Sequence, residues 1–163
     1  MNVGTWLSKN AYGWSNLTTA EKIAIRDFPV LWALFELSAT GKEANVKSIV
    51  AAVNGLAPFV NPVSVPFTEA LAYYEDRFYH GGYQTKHFHD LRLTYEAWQQ
   101  HVRPVFEGAA VDARRRLIAL LLIIHRLRNN YLHGEKAVYG FAGQLDNFRH
   151  ANRCLMAAIP LWP

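Results

Sequence analysis

The chain is poor in several things at once, and each shortage removes a class of protein. It has one cysteine, Cys154, so no internal disulfide can form, and a reducing, cytoplasmic setting is expected. Its longest apolar run, Leu117 to Ile124, covers only eight residues, between Arg114-Arg115-Arg116 and His125-Arg126. Crossing a bilayer as a helix takes about 20 apolar residues, so this run is expected to be a buried core helix rather than a membrane span. Met1 to Trp6 lacks a basic stretch followed by an apolar core, so no secretion signal is read. No repeat, low-complexity tract or clear period-two strand is visible. There is no Gly-rich phosphate loop, since Gly81-Gly82 is a lone pair, and no Gly-x-Ser-x-Gly.

What remains is apolar and only mildly charged. Of 163 residues, 51% are hydrophobic and 18% charged, which excludes a disordered chain and suits one packed domain over 1–163. The net charge of +4 permits a phosphate-rich partner without demanding one.

The punctuation reads as an all-α bundle of about five to six helices. Residues 1–17 are expected as an irregular arm. Thr18 with Glu21 forms a capping signature for a helix to about Ser38, buried through Phe28, Leu31, Trp32, Phe35 and Leu37. Pro29 should kink or split it. A second helix is predicted over about 43–53, a loop over 56–66, and a third helix from Pro66 to about Tyr79. A short helix is predicted around 90–101, broken by Pro104 and Gly108. Asp112 caps a long helix over 113–132 that ends with Gly134 as its C′ residue. A last helix is predicted over about 137–158, with Phe141, Leu145, Phe148, Leu155 and Ile159 inward.

Chemistry concentrates where that long helix runs out, in Arg128-Asn129-Asn130-Tyr131-Leu132-His133-Gly134. Arginine presents a planar fork matched to phosphate oxygens. Histidine moves protons near neutrality, and the negative end of a helix favours its protonated form, so donation to a leaving oxygen is as plausible as base action. Arg128 and His133 are five residues apart, about 140° around the axis, so one rigid helix cannot stack them. Asn129 shares a face with His133 and could orient the ring or the substrate. Arg126 could widen the positive field, and Tyr131 could stack on a base or simply pack. The plain alternative is that these residues only solvate a helix end.

The string Leu127-Arg128-Asn129-Asn130-Tyr131-Leu132-His133-Gly134-Glu135-Lys136 resembles the signature of the HEPN superfamily: an arginine, a polar residue after it, and a histidine four to six residues beyond the arginine. The match covers about ten residues. The flanking sequence resembles branches associated with phage defence and toxin–antitoxin systems. The resemblance implies a HEPN-like helical domain that pairs as a homodimer with a composite active site, takes RNA as substrate and is restrained by a cognate antitoxin. It also implies RNA cleavage without metal or cofactor, through the 2′-hydroxyl, to a 2′,3′-cyclic phosphate. Carried over, Arg128 would hold the phosphate, His133 move the proton and Asn129 position, with Asn130, Tyr131 and Arg126 in support. Some members use an acid on an early helix, for which Glu36 is the candidate; a surface or salt-bridged Glu36 is the alternative. Two rival readings stay open: a non-catalytic RNA- or nucleotide-binding module of the same type, and a purely structural interaction domain.

Other constellations are weighed against bland readings. Lys86-His87-Phe88-His89-Asp90 has a His-x-His-Asp look, but with Leu91 next and His80 nearby it reads better as a loop of exposed histidines. Arg114-Arg115-Arg116 opposes the helix dipole and reads as a solvated helix start. Cys154 with His150 four residues earlier reads as packing rather than a nucleophile.

Overall fold

A computed structural model describes residues 2–109, 112–132 and 143–163. The chain is mostly helical, as expected of an all-α class. Helix α1 spans Val3–Asn10, α2 Thr19–Ala39, α3 Val46–Asn54 and α4 Val65–Phe78. Strands β1 (Tyr79–His80) and β2 (Tyr83–Gln84) follow, then α5 Lys86–Leu91. Next come α6 Tyr95–Ala97, a π turn over Trp98–Val102, and α7 Arg103–Phe106. The long helix α8 is Ala113–Leu132, and α9 is Leu145–Ala158, closed by a 3₁₀ turn at Ile159–Leu161.

α8 is the centre of the molecule because its middle is apolar on every side. All eight residues from Leu117 to Ile124 are buried, which a helix tolerates only inside a surrounding shell of others. α3 packs along it, and α9 packs against α2 and α4. Phe28, Trp32 and Phe35 of α2 meet Phe148 and Leu155 of α9 in this core. Polar ties fix the registers: Asn152 donates to the Ala24 carbonyl at 3.0 Å, and the Trp162 indole to the Ala52 carbonyl at 3.2 Å.

Capping follows local chemistry. The Glu21 amide donates to the Thr18 hydroxyl while the Glu21 carboxylate accepts from the Thr18 amide, a closed capping box. The Arg115 amide donates to Asp112 at 2.9 Å at the start of α8. Arg114 is not solvated as expected. Its guanidinium reaches across to donate to the carbonyls of Val53, Asn54, Leu56, Ala57 and Val60, covering the exposed carbonyl end of α3. Arg115 and Arg116 are exposed.

Several expectations need correction. The expected irregular arm is, over the described residues 2–17, largely helical: Asn2 caps α1 by accepting from the Thr5 amide, and a 3₁₀ turn occupies Trp14–Asn16. Pro29 does not split α2, which runs through it. Leu37 is 58% exposed, off the buried side that Phe28, Trp32 and Phe35 define. Pro66 sits second in α4, after Val65. Gly81 and Gly82, both at positive φ, form the tight turn of a two-stranded hairpin, a conformation glycine adopts without steric cost. Pro104 does not break its segment. The Arg103 amide bonds five residues back to Trp98, and the wide π turn just before Pro104 carries the helical run past it. His87 and His89 lie on the short helix α5 and not in a loop. The last described helix begins at Leu145, after Gly143 at a positive φ of 72°; the expected start near 137 lies outside the described residues. Gly134 and Phe141 lie outside the described residues.

Candidate functional site

The last turns of α8 sort the motif onto separate faces, and the sorting follows from 100° per residue. Asn130 turns inward. It is buried, and its amide donates to the carbonyls of Asp90 at 2.9 Å and Leu91 at 3.3 Å, tying α8 to the end of α5. Arg126 donates from Nε to the same Leu91 carbonyl at 3.4 Å. Tyr131 lies edge-on to Phe28 and Phe148, at 6.4 and 5.8 Å between ring centroids. These three candidates hold the helix in place, and their polar or aromatic groups are engaged within the protein.

Arg128, Asn129 and Glu36 behave differently. Glu36 projects from α2, 92 residues earlier in the chain, and its Oε2 lies 3.9 Å from Nη2 of Arg128. Its other oxygen accepts from the Ala44 amide at 3.3 Å, so both carboxylate oxygens have a partner. Arg128 donates from Nη1 to Oδ1 of Asn129 at 3.1 Å. The Arg128 and Glu36 side chains keep 29% and 19% of their surface in contact with solvent, so the pair sits at the rim of the core and is reachable from outside. Arg128 Nε is sealed off and has no partner. Such a donor costs about 1–3 kcal/mol, which the two Nη contacts offset.

Asn129 continues the chain of contacts into His125. Its Nδ2 lies 3.2 Å from Nε2 of His125. With Asn129 Oδ1 occupied by the arginine, Nδ2 is the donor, so Nε2 of His125 must be the acceptor nitrogen of a neutral ring. The imidazole stacks on the buried Trp32 indole at 5.7 Å and 24°. Burial first, then the nearby cations Arg126 and Arg128, pull its pKa from 6.5 to about 4, against upward pulls from Glu36 and the Ala44 backbone. Glu36, Arg128, Asn129 and His125 thus form one line of contacts between α2 and α8, on a floor of Trp32. His125 was missed as a site residue in the sequence. The signal for it was spacing, since 125, 128 and 129 follow the i, i+3, i+4 pattern of one helix face.

His133, the expected proton carrier, lies outside the described residues. The line from Glu36 to His125 can hold an anion at the exposed edge of the Arg128 guanidinium. His125 cannot itself deliver a proton near neutrality, because it carries none to spare.

The other constellations resolve into surface pairs and packing. His80 pairs with Asp76 at 2.7 Å, and His87 lies 3.9 Å from Asp90. Among the described residues no group of three His, Cys, Asp or Glu side chains is placed to hold a metal. Cys154 is buried, which pushes its thiol well above the ordinary range, and His150 stacks on Tyr73 at 4.4 Å. None of the described helices is long and apolar enough to cross a membrane. Comparison with protein-family models, with curated proteins and with solved structures finds no match to this chain.

Proposed function

We propose that the chain is a metal-independent endoribonuclease of HEPN type, working as a homodimer in a toxin or phage-defence role and leaving a 2′,3′-cyclic phosphate. One observation supports the reading: Glu36 and Arg128, both named by the one family resemblance and distant in the sequence, meet at 3.9 Å on the face that also holds Asn129. A partly buried carboxylate fixes the arginine in one orientation, and a pre-aimed guanidinium grips a phosphate without first paying to order its side chain. Arg128 holds the scissile phosphate and Asn129 positions. His133 moves the proton between the 2′-hydroxyl and the leaving 5′-oxygen. His125 is a positioning residue, locking the Asn129 amide through its acceptor nitrogen. Asn130, Tyr131 and Arg126 support the site only by anchoring the helix that carries it.

The test is RNA cleavage by the purified chain in EDTA, with Arg128→Ala and His133→Ala alongside. The expected result is cleavage by the wild type, products ending in a cyclic phosphate, and a loss of about 100-fold or more in each variant. Cleavage that neither substitution changes would refute the assignment. Binding of a non-cleavable oligonucleotide with no turnover in the wild type would point to the non-catalytic RNA-binding module instead.

A further inference from the structure

The connection from α3 to α4 displays apolar side chains where turns ordinarily carry polar ones. The Val60 amide donates to the Ala57 carbonyl at 2.9 Å, closing a turn with Pro58 and Phe59 at its tip. Phe59 is 89% exposed, and Val63 and Val65 are each 66% exposed. Apolar residues scattered singly over a surface need no explanation, but these three fall within one short stretch. The turn is braced from behind. Arg114 donates to the carbonyls of Leu56, Ala57 and Val60, and Pro62 is buried. A fixed backbone therefore holds the Phe59 ring out in solvent.

The charge around this corner has one sign. No carboxylate occurs in the sequence between Glu43 and Glu69, and Glu69 is taken by Arg153 at 2.6 Å. Arg115 and Arg116, next to the bracing arginine, are exposed and make no ion pair among the described residues. Arg116 and Val63 line the same shallow groove, so the cations flank the apolar stretch. Asp112 caps α8 by accepting from the Arg115 amide, and three arginines outweigh its one charge.

That groove holds about 70 Å³, far below the ~300 Å³ at which pockets begin to take organic ligands. A protruding apolar tip without a cleft suits a soft partner that it can enter, and the flanking guanidiniums ask for one that is negative over its whole face. An anionic bilayer has both properties. Single-stranded nucleic acid fits less well, because valines offer no flat face for a base to stack on.

We propose that this corner docks on an anionic lipid surface, with Phe59, Val63 and Val65 entering the boundary between headgroups and acyl chains, and Arg115 and Arg116 on lipid phosphates. The contact is peripheral, since none of the described helices is long and apolar enough to cross a membrane. It is independent of the ribonuclease reading, because it lies at the opposite end of α8 from Arg128.

The experiment sediments the full chain with vesicles of phosphatidylcholine, alone or with about 30% phosphatidylglycerol, at about 0.1 M and about 0.5 M salt. Expected is binding to the anionic vesicles only, half-complete near ~1 mM lipid and largely lost at the higher salt. Phe59→Ser should weaken it by about tenfold or more, while Phe59→Trp retains it. The double variant Arg115→Gln, Arg116→Gln should weaken it by about 25-fold, about fivefold per arginine. All three side chains are exposed, so the variants should keep the wild-type circular dichroism and Tm. Leu37→Ser, at an exposed apolar position on α2, should change nothing. No binding, equal binding to neutral vesicles, wild-type-like binding by Phe59→Ser or by the arginine double variant, or a loss in Leu37→Ser alone would each overturn the proposal. So would binding of a 2′-O-methyl oligouridylate that weakens in both the Phe59→Ser and the double arginine variant, which would make the corner a nucleic-acid contact.

Discussion

His125 makes the stability of this protein depend on pH in a direction opposite to that of an ion-paired histidine. In the folded chain its pKa falls to about 4, while the unfolded chain keeps the ordinary 6.5, so between those values the unfolded state binds the extra proton. Stability contributed by the neutral ring is therefore fully present above pH 6.5 and is lost as pH falls towards 4. At about 1.4 kcal/mol per pH unit the full span is worth about 3 kcal/mol. Partial contact with solvent reduces this to about 2 kcal/mol. The physical cost is specific: a proton on Nε2 meets the Nδ2 donor of Asn129 at 3.2 Å, with Arg126 and Arg128 adding like charge. The perturbation is His125→Gln, which keeps a polar side chain on Trp32 but has nothing to titrate. Urea unfolding at pH 7.5, 6, 5 and 4.5 gives stability for both chains, and the quantity read is their difference at each pH. Other groups titrate in this range, among them His101 and His150, also lowered by burial, but they are common to both chains and cancel. The wild type should lead by most at pH 7.5 and surrender about 2 kcal/mol of that lead by pH 4.5. A difference that stays flat across the series would show that His125 is not held neutral, and the Arg128–Asn129–His125 line of contacts would be wrong.

Arg114→Ala should cost about 3 kcal/mol, because it strips the donor from five carbonyls, two at the end of α3 and three in the segment just after it, and should lower Tm by about 6–12 °C in a scanning-calorimetry comparison. Arg114→Lys should recover less than half of this, since an ammonium cannot span carbonyls from Val53 to Val60; a wild-type Tm in the alanine variant would refute the capping role. Cys154 should resist alkylation by iodoacetamide in the native chain and react fully once urea unfolds it, because its thiol is both buried and kept protonated. Modification at native rates comparable to a free thiol would contradict its place in the core.

The parts of the fold that were readable in advance are those set by short-range chemistry. Thr18 with Glu21, and Asp112 ahead of Ala113, announce helix starts because the capping groups lie within one turn of the amides they satisfy. The run Leu117 to Ile124 announces a central helix because no other position can bury apolar residues all round. What was not readable depends on partners distant in sequence. Nothing near Arg114 says that its acceptors lie about sixty residues back at the end of α3. Nothing near Asn130 says that its amide is taken by Asp90 and Leu91, so a residue that looks available for chemistry is structural. The hairpin at Gly81-Gly82 was missed for another reason: strands of two residues are too short to show alternation. Glu36 and Arg128 were legible as types, but only the packing of α2 against the end of α8 makes them neighbours.

The all-round burial of α8 has a mechanical consequence. Twenty residues at 1.5 Å each make a strut about 30 Å long, clasped along its middle by apolar neighbours on every side. Such a strut has little freedom to bend or swivel, so the aim of the Arg128 guanidinium is dictated by side chains about one and two turns away. Volume changes at Leu121 or Ile124 should therefore register at the polar tip as a displaced grip, with none of the tip's own residues altered.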